Sequence, residues 1–397
     1  MFDERPQGVT VNAPVRIADV GGWTDTWFGA PGTVCNVAVG PGVTAEARRV
    51  RRAAGAPRVR LVAADVDADY FVGPDEIDGW AAPAPGRHPL LEHAIAAVVE
   101  WTGVDRILED GAGGENGGAD GGDDGRDGVD VVVGAAVPAG ASLGTSASAV
   151  VAVLAALDGL LGGGRQRAAD LARHGHQIES ARCGREAGVQ DQWAAAFGGT
   201  SLLTIDAYRR GGETPAVEHV AIEPSPRMRA AMEACWSTVV FGSHDSSAVH
   251  SEVIHSALDA NGVGHANTLS SLRRMSELAV DAADALRAGD LAAWAEALRE
   301  CTAAQEQMHA ALLGPAHRAA IDAARRLGAL GWKVNGAGGA GGSLTVVLPE
   351  PPAVARFATA MGELDRGWQV LDLRCAPGVH RVESVVPTRA ASVTPQR

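Results

Sequence analysis

The period of the hydrophobic positions changes several times along the chain, and each change marks an element. Residues 9–20, VTVNAPVRIADV, and 32–50, GTVCNVAVGPGVTAEARRV, are rich in β-branched side chains and predict strands. Residues 88–103, HPLLEHAIAAVVEWTG, space their apolar side chains three and four apart and predict a helix. A buried strand is predicted at 129–138, VDVVVGAAVP, followed by a small-residue loop and an apolar helix at 151–161, VAVLAALDGLL. A helix with a more polar face is expected over 167–184, a strand over 200–208, and a hairpin or linker over 209–219. The second half predicts a strand at 237–243 and long Ala-rich amphipathic helices from about 247 to 330. A glycine loop then runs into a strand over 332–349, followed by one more helix and strand. No internal repeat is visible.

Residues 109–128 carry no such pattern. They are Gly- and Asp-rich, with nothing to bury, and read as a flexible surface insertion. Their carboxylates lack the spacing of a calcium loop. The length of 397 residues suggests one large or two medium domains, and 46% hydrophobic residues suffice for real cores. A net charge of −14 argues against nucleic acid or an anionic membrane as partner, but not against a small anionic ligand held at a local positive site. Lys333 is the sole lysine, which reads as genome composition rather than chemistry. Cys35, Cys183, Cys235, Cys301 and Cys375 are scattered, with no CxxC pair, and read as reduced thiols rather than a zinc site. No signal peptide and no run of about 20 apolar residues is seen, so a cytoplasmic protein is expected.

Four stretches carry candidate chemistry. In PAGASLGTSAS, residues 138–148, the backbone N–H groups have few side chains in the way and lead into a helix N-terminus, which makes an anion cradle. Thr145, Ser146 and Ser148 add hydroxyls. A core helix with a small-residue cap explains the same letters, and a Walker ending is missing. NGAGGAGGS, 335–343, is a second glycine loop, equally readable as a tight connection. PVRIADVGGWTDTWFGAPG, 14–32, places Arg16 on a strand and Asp25 after two glycines, where a carboxylate suits the hydroxyls of a polyol or simply caps a turn. HQIESARCGREAGVQDQW, from 176, carries Glu179 on a helix and Asp191 beyond it. These two acids would divide metal and hydroxyl between them, or stand as solvated surface acids.

In their order along the chain the stretches resemble the motifs of the GHMP kinases, the superfamily of galactokinase, homoserine, mevalonate and phosphomevalonate kinases. APVRIADVGGWTDT resembles the first motif, PAGASLGTSAS the P-x-G-x-G-L-G-S-S-A loop, and VNGAGGAGGS the third motif. GGWTDT, GVQDQWAAAFGG and FGSHDSSAVHSEVI are most similar to the heptose-phosphate kinase and fucokinase branch. The resemblance implies a two-domain α+β fold: an N-terminal phosphate-loop domain, 1–205, and a C-terminal ferredoxin-like domain, 206–397, with the site in the cleft between them. It implies ATP and Mg²⁺ as cofactors and a sugar or sugar phosphate as acceptor, in a monomer or homodimer. Carried over, Pro138, Gly140, Ser142, Leu143, Gly144, Thr145, Ser146, Ala147 and Ser148 would wrap the triphosphate, with Gly336, Gly338 and Gly339 facing them. Ser146 and Glu179 would hold magnesium, Asp191 would act on the acceptor hydroxyl beside Arg16, and Gly22, Thr24, Asp25 and Asp191 would contact the acceptor.

The chain departs from the family pattern in small ways. Thr145 stands for the first serine of a pair, Ser142 brings a side chain close to phosphate, and Ala340 interrupts the glycine run. Trp23, Trp27 and Phe28 would stack on a sugar face or pack under the strand. Arg182 and Arg185 are the candidates to meet a phosphate already on the acceptor. A non-sugar alcohol such as a mevalonate-like acid is the alternative acceptor, against which GGWTDT argues. A non-catalytic nucleotide-binding homologue is the other alternative, against which Ser146, Glu179 and Asp191 together argue.

Overall fold

The computed structural model describes residues 6–53, 56–72, 87–102, 126–208, 214–242, 247–262 and 264–382. The Gly- and Asp-rich insertion therefore lies outside the described residues except for 126–128, which open a strand.

Strand β1, Gly8–Val20, begins with alternating burial and then buries every residue from Ala13 to Val20. The change follows from packing on both faces. Helices α2, Thr145–Leu157, and α4, Gln190–Phe197, contact this strand, as do α7, His265–Ala288, and α8, Leu291–Met308. A strand covered on both sides reads as a continuous apolar run. Strand β2, Gly32–Arg52, is 21 residues long and pairs antiparallel with β1 along its length. Its first part pairs with β6, Thr200–Ile205, and its last part with β5, Arg126–Ala135. Beyond β5 lie β3, Val59–Ala63, pairing in parallel with it, and β4, Ala68–Val72. Helix α1, Pro89–Thr102, packs on α2 and buries Leu90, Ile95 and Val98.

The first sheet has nine strands among the described residues, and three of them come from beyond residue 205. Strand β7, Val217–Ile222, forms a hairpin with β6, while β12, Arg374–Cys375, pairs with β2 and β13, His380–Val382, with β1. The fold thus returns to its first sheet at the end of the chain.

The second sheet is small and antiparallel, in the order β11-β8-β10-β9. These strands are β8, Trp236–Gly242; β9, Gly331–Val334; β10, Gly342–Val347; and β11, Gln369–Leu371. With helices between β8 and β9 and α10, Pro351–Leu364, between β10 and β11, this is the ferredoxin-like βαββαβ order. Helices α5, Pro226–Cys235, and α6, Ser247–Leu258, precede α7, and α9, Pro315–Arg326, follows α8. The chain is α+β with two sheets, as the motifs imply.

One core cluster joins the two halves. Val15, Ile17, Trp23, Val137 and Leu143 from the first half pack with Met275, Leu278, Trp294 and Leu298 from α7 and α8. Residues Thr145–Gly162 are apolar and long enough to cross a membrane, yet 67% of the stretch is buried inside the protein. It is a core helix, apolar all round because protein surrounds it.

Candidate active site

The small-residue loop before α2 and the end of β1 are clamped together. The Arg16 backbone N–H donates to Leu143 O at 2.9 Å, and Arg16 Nη1 donates to Ser142 O at 2.7 Å. Arg16 Nε donates to Asp191 Oδ1 at 2.8 Å, on the first turn of α4. Asp19 stands 3.7 Å from the same guanidinium. Burial works against the charge of Arg16, but Asp19 and Asp191 outweigh it and hold the guanidinium firmly protonated. Gly144 caps α2 with φ of 77°. A Cβ placed there would lie 3.0 Å from Asp191 Cγ, so the carboxylate rests directly on the loop-to-helix junction. Ser142 takes φ of 58°, the left-handed region that a side chain disfavours. The Arg16 bond to its carbonyl helps to hold it there.

Glu179 reaches the same place by an unusual route. The helix predicted over 167–184 is α-helical as α3, Ala168–Gln177, and then widens into a π-helical turn, Ile178–Arg182, closed by Cys183 N–H donating to Ile178 O at 3.0 Å. Such turns recur at functional sites because they re-aim a side chain. Gln192 Nε2 donates to Glu179 Oε2 at 2.7 Å. Burial, helped by the charge of Asp191, pushes the Glu179 carboxyl up to about 7.

Asp25 follows a run of tight turns from Asp19 to Thr26 in which Trp23 has φ of 78°. Asp25 is 1% exposed, and its Oδ2 accepts from Gln190 N–H at 2.9 Å. Gly188 lies against it: a Cβ there would sit 2.1 Å from Asp25 Oδ2. Burial pushes the Asp25 carboxyl up to about 6, with the charge of Asp191 adding to the effect. The native state therefore holds this proton more tightly than the unfolded chain, and stability falls as pH rises from about 4 to about 6. Asp25→Asn removes that penalty. The variant is expected to gain roughly 1–3 kcal/mol over the parent at pH 8 and almost nothing at pH 4. Urea unfolding of both proteins at the two pH values checks this, and equal gaps would contradict it.

These groups line one cavity of about 290 Å³. Of the residues singled out in the sequence, Arg16, Asp25, Gly140, Ser142, Leu143, Gly144, Thr145, Ser146, Ala147, Glu179, Asp191 and Gly336 meet there. Pro138, Gly22, Thr24, Ser148, Gly338 and Gly339 are not among its lining residues. Ser148 donates its hydroxyl to Pro14 O at 2.6 Å, tying α2 to β1, and Thr24 donates to Gly21 O at 2.7 Å. Gly338 and Gly339 pack against Leu312, whose carbonyl accepts from Gly339 N–H at 3.0 Å. Trp23 packs against His250 with ring centroids 4.7 Å apart and the planes tilted by 48°, while Trp27 Nε1 donates to Glu186. Arg182 is engaged outside the cavity with Glu100, and Arg185 stands 3.6 Å from Glu179.

Sequence reading missed a second layer behind Arg16. Asp19, fully buried, accepts from Gly336 N–H at 3.0 Å and stands 3.9 Å from Lys333 Nζ. Lys333 donates to Gln305 Oε1 at 3.0 Å, and Gln305 Nε2 donates to Gly336 O at 3.1 Å. Ala18 N–H donates to Asn335 Oδ1 at 3.0 Å. The second glycine loop is thus bolted to β1 at the back of the site. The one available signal was Lys333 itself, a single ammonium in an otherwise arginine-only chain.

The arrangement brings together the donors of a helix N-terminus, the carboxylates of Asp25, Glu179, Glu186 and Asp191, and hydroxyls. Thr145 Oγ1 is buried and has no partner within the protein, while Ser146 is exposed beside it. An oxygen-only set of this kind suits magnesium.

The family described as GHMP kinases N terminal domain matches residues 110–199, and GHMP kinases C terminal matches 282–365. No protein of curated function matches the sequence. Among solved structures, the chain is similar to a D-glycero-D-manno-heptose 1-phosphate kinase from Bacteroides thetaiotaomicron, at 20% identity and a TM-score of 0.66, over 95% of this chain and 99% of that one. It is similar to Lactococcus lactis galactokinase complexed with galactose, at 18% identity and a TM-score of 0.66, over 96% and 97%. It is also similar to Methanococcus jannaschii mevalonate kinase, at 12% identity and a TM-score of 0.65, over 95% and 100%. With both domains matched in sequence and the whole two-domain fold matched in space, the chain belongs to the GHMP kinase superfamily.

Proposed function

We propose that this protein is an ATP- and magnesium-dependent kinase that transfers a phosphoryl group to a hydroxyl of a sugar or sugar phosphate. The observation that carries the reading is the position of Asp191. Its carboxylate, fixed by Arg16 at 2.8 Å, rests on Gly144 where the loop enters α2. A hydroxyl held by Asp191 therefore shares a cavity with the N–H groups that suit a triphosphate. The loop residues 140–147 take the nucleotide phosphates, and Gly336 with Ala337 closes the cavity from the second half of the chain. Asp25 accepts from acceptor hydroxyls. Asp191 orients the attacking hydroxyl and receives its proton, with Arg16 fixing the carboxylate in place.

Ser146 and Glu179, with the buried Thr145 hydroxyl beside them, are the residues that would hold magnesium. When bound, the ion neutralises charge on the transferred group. The free state of all five cysteines supports a reducing, cytoplasmic setting.

The test is acceptor-dependent ADP release with ATP and magnesium across free sugars, sugar phosphates and hydroxy acids. Turnover on a sugar or sugar phosphate is the expected result. Turnover confined to a hydroxy acid would overturn the acceptor class, and release of ADP independent of any acceptor would overturn the kinase.

A further inference from the structure

Resting on the sugar-kinase reading, we infer that the acceptor is an uncharged polyol, a free sugar, and neither a sugar phosphate nor a carboxylic acid. A second anion beside the nucleotide needs a dedicated cation, because burying an unpaired phosphate is costly. Among the described residues, Arg16 is the one arginine or lysine that lines the cavity. It is already spent on Asp191 Oδ1, Ser142 O and the nearby Asp19. Of the two arginines expected to meet an acceptor phosphate, Arg182 forms a bidentate pair with Glu100, and Arg185, outside the lining, stands 3.6 Å from Glu179. Lys333, the chain's sole lysine, is buried behind the site on Gln305 and Asp19.

What lines the acceptor part of the cavity has the opposite character. Asp25 and Glu186 are carboxylates, and Gln190 adds an amide oxygen that is buried without a protein partner. Trp23 adds an indole N–H, likewise buried and unpartnered, on a ring that packs at a tilt against His250. Carboxylates and an amide oxygen accept hydrogen bonds, and a hydroxyl is the group that donates to them while still accepting from an indole N–H. An ionised phosphate or carboxylate offers only acceptors, so it would face like charge and unmatched lone pairs here. The wall of the cavity therefore selects acceptors by charge before it selects them by stereochemistry.

The experiment pairs each free hexose, pentose and heptose with its own monophosphate and adds a hydroxy acid. Turnover is measured with ATP and magnesium, and binding to the full chain by calorimetry with Mg-ADP present. The uncharged member of a pair is expected to win by at least about 100-fold in kcat/KM, as unmatched polar groups in a site discriminate strongly. Glu186→Gln is expected to narrow that gap by about fivefold, through relief of like charge. Preference for the phosphate or for the hydroxy acid overturns the inference, as does a gap unchanged in Glu186→Gln or no binding of any free sugar. Tight, selective binding of a free sugar without turnover supports the inference and overturns only the kinase reading beneath it.

Discussion

Replacing Asp191 by Asn is expected to lower kcat by about 10²–10⁴-fold, the range for loss of a positioned acid–base group. The nucleotide KM should stay within about threefold, because its binding rests on backbone N–H groups of the loop. The substitution is nearly isosteric, and an amide oxygen can still accept from Arg16 Nε, which now stands at 2.8 Å from the carboxylate. It therefore removes the negative charge and the proton acceptor while leaving the junction at Gly144 in place. Steady-state kinetics with the preferred acceptor checks this. Activity within tenfold of the parent would move the reacting hydroxyl away from Asp191.

Lys333→Met is expected to be the most destabilising of the substitutions considered, at about 2–4 kcal/mol. Lys333 is 1% exposed and lies between Gln305 and the fully buried Asp19. Methionine fills similar volume but leaves Gln305 Oε1 and part of the Asp19 charge uncompensated. Asp19 keeps Arg16 and the Gly336 N–H, which is why the loss stays below that of a fully abandoned buried charge. The urea midpoint reports the change. Because Gln305 and Asp19 both hold Gly336, the nucleotide KM should rise by about tenfold as well, the effect of roughly 1.4 kcal/mol of lost binding. Adding Asp19→Asn to Lys333→Met should recover part of the stability, the non-additivity expected of residues in one network. Strict additivity would show that Lys333 acts alone.

The contrast between these two residues shows what a sequence can and cannot disclose. Asp191 was legible only through the resemblance of GVQDQWAAAFGG to a family segment, since alone it reads equally as a solvated surface acid. The loop at 140–148 was legible because glycine, alanine and hydroxyl residues leave few other reasons for a helix to begin there. Asp19 and Lys333 are 314 positions apart, and no periodicity connects a lone aspartate on a strand to a lone lysine on another. The first sheet was hidden for the same reason. Strands β12 and β13 are two and three residues long, too short to carry an alternating pattern, yet they pair with β2 and β1 from the far end of the chain. The expected hairpin or linker over 209–219 reaches into β7, which does pair with β6, but the letters of β7, VEHVAI, hardly alternate in polarity and left its strand unmarked. The π-helical turn that presents Glu179 was likewise invisible, since it changes hydrogen bonding without changing the apolar spacing.

The central claim is that a nucleotide phosphate and an acceptor hydroxyl meet in one cavity, at Asp191. It is tested most directly in a single turnover with ATP labelled on its γ-phosphate, in the presence of magnesium and the preferred acceptor. The account predicts that the label passes to the acceptor as a phosphomonoester, with none on the protein, and that Asp191→Asn binds the nucleotide but leaves the label on ATP. Label appearing on the protein, or as inorganic phosphate at the same rate with and without acceptor, would contradict it.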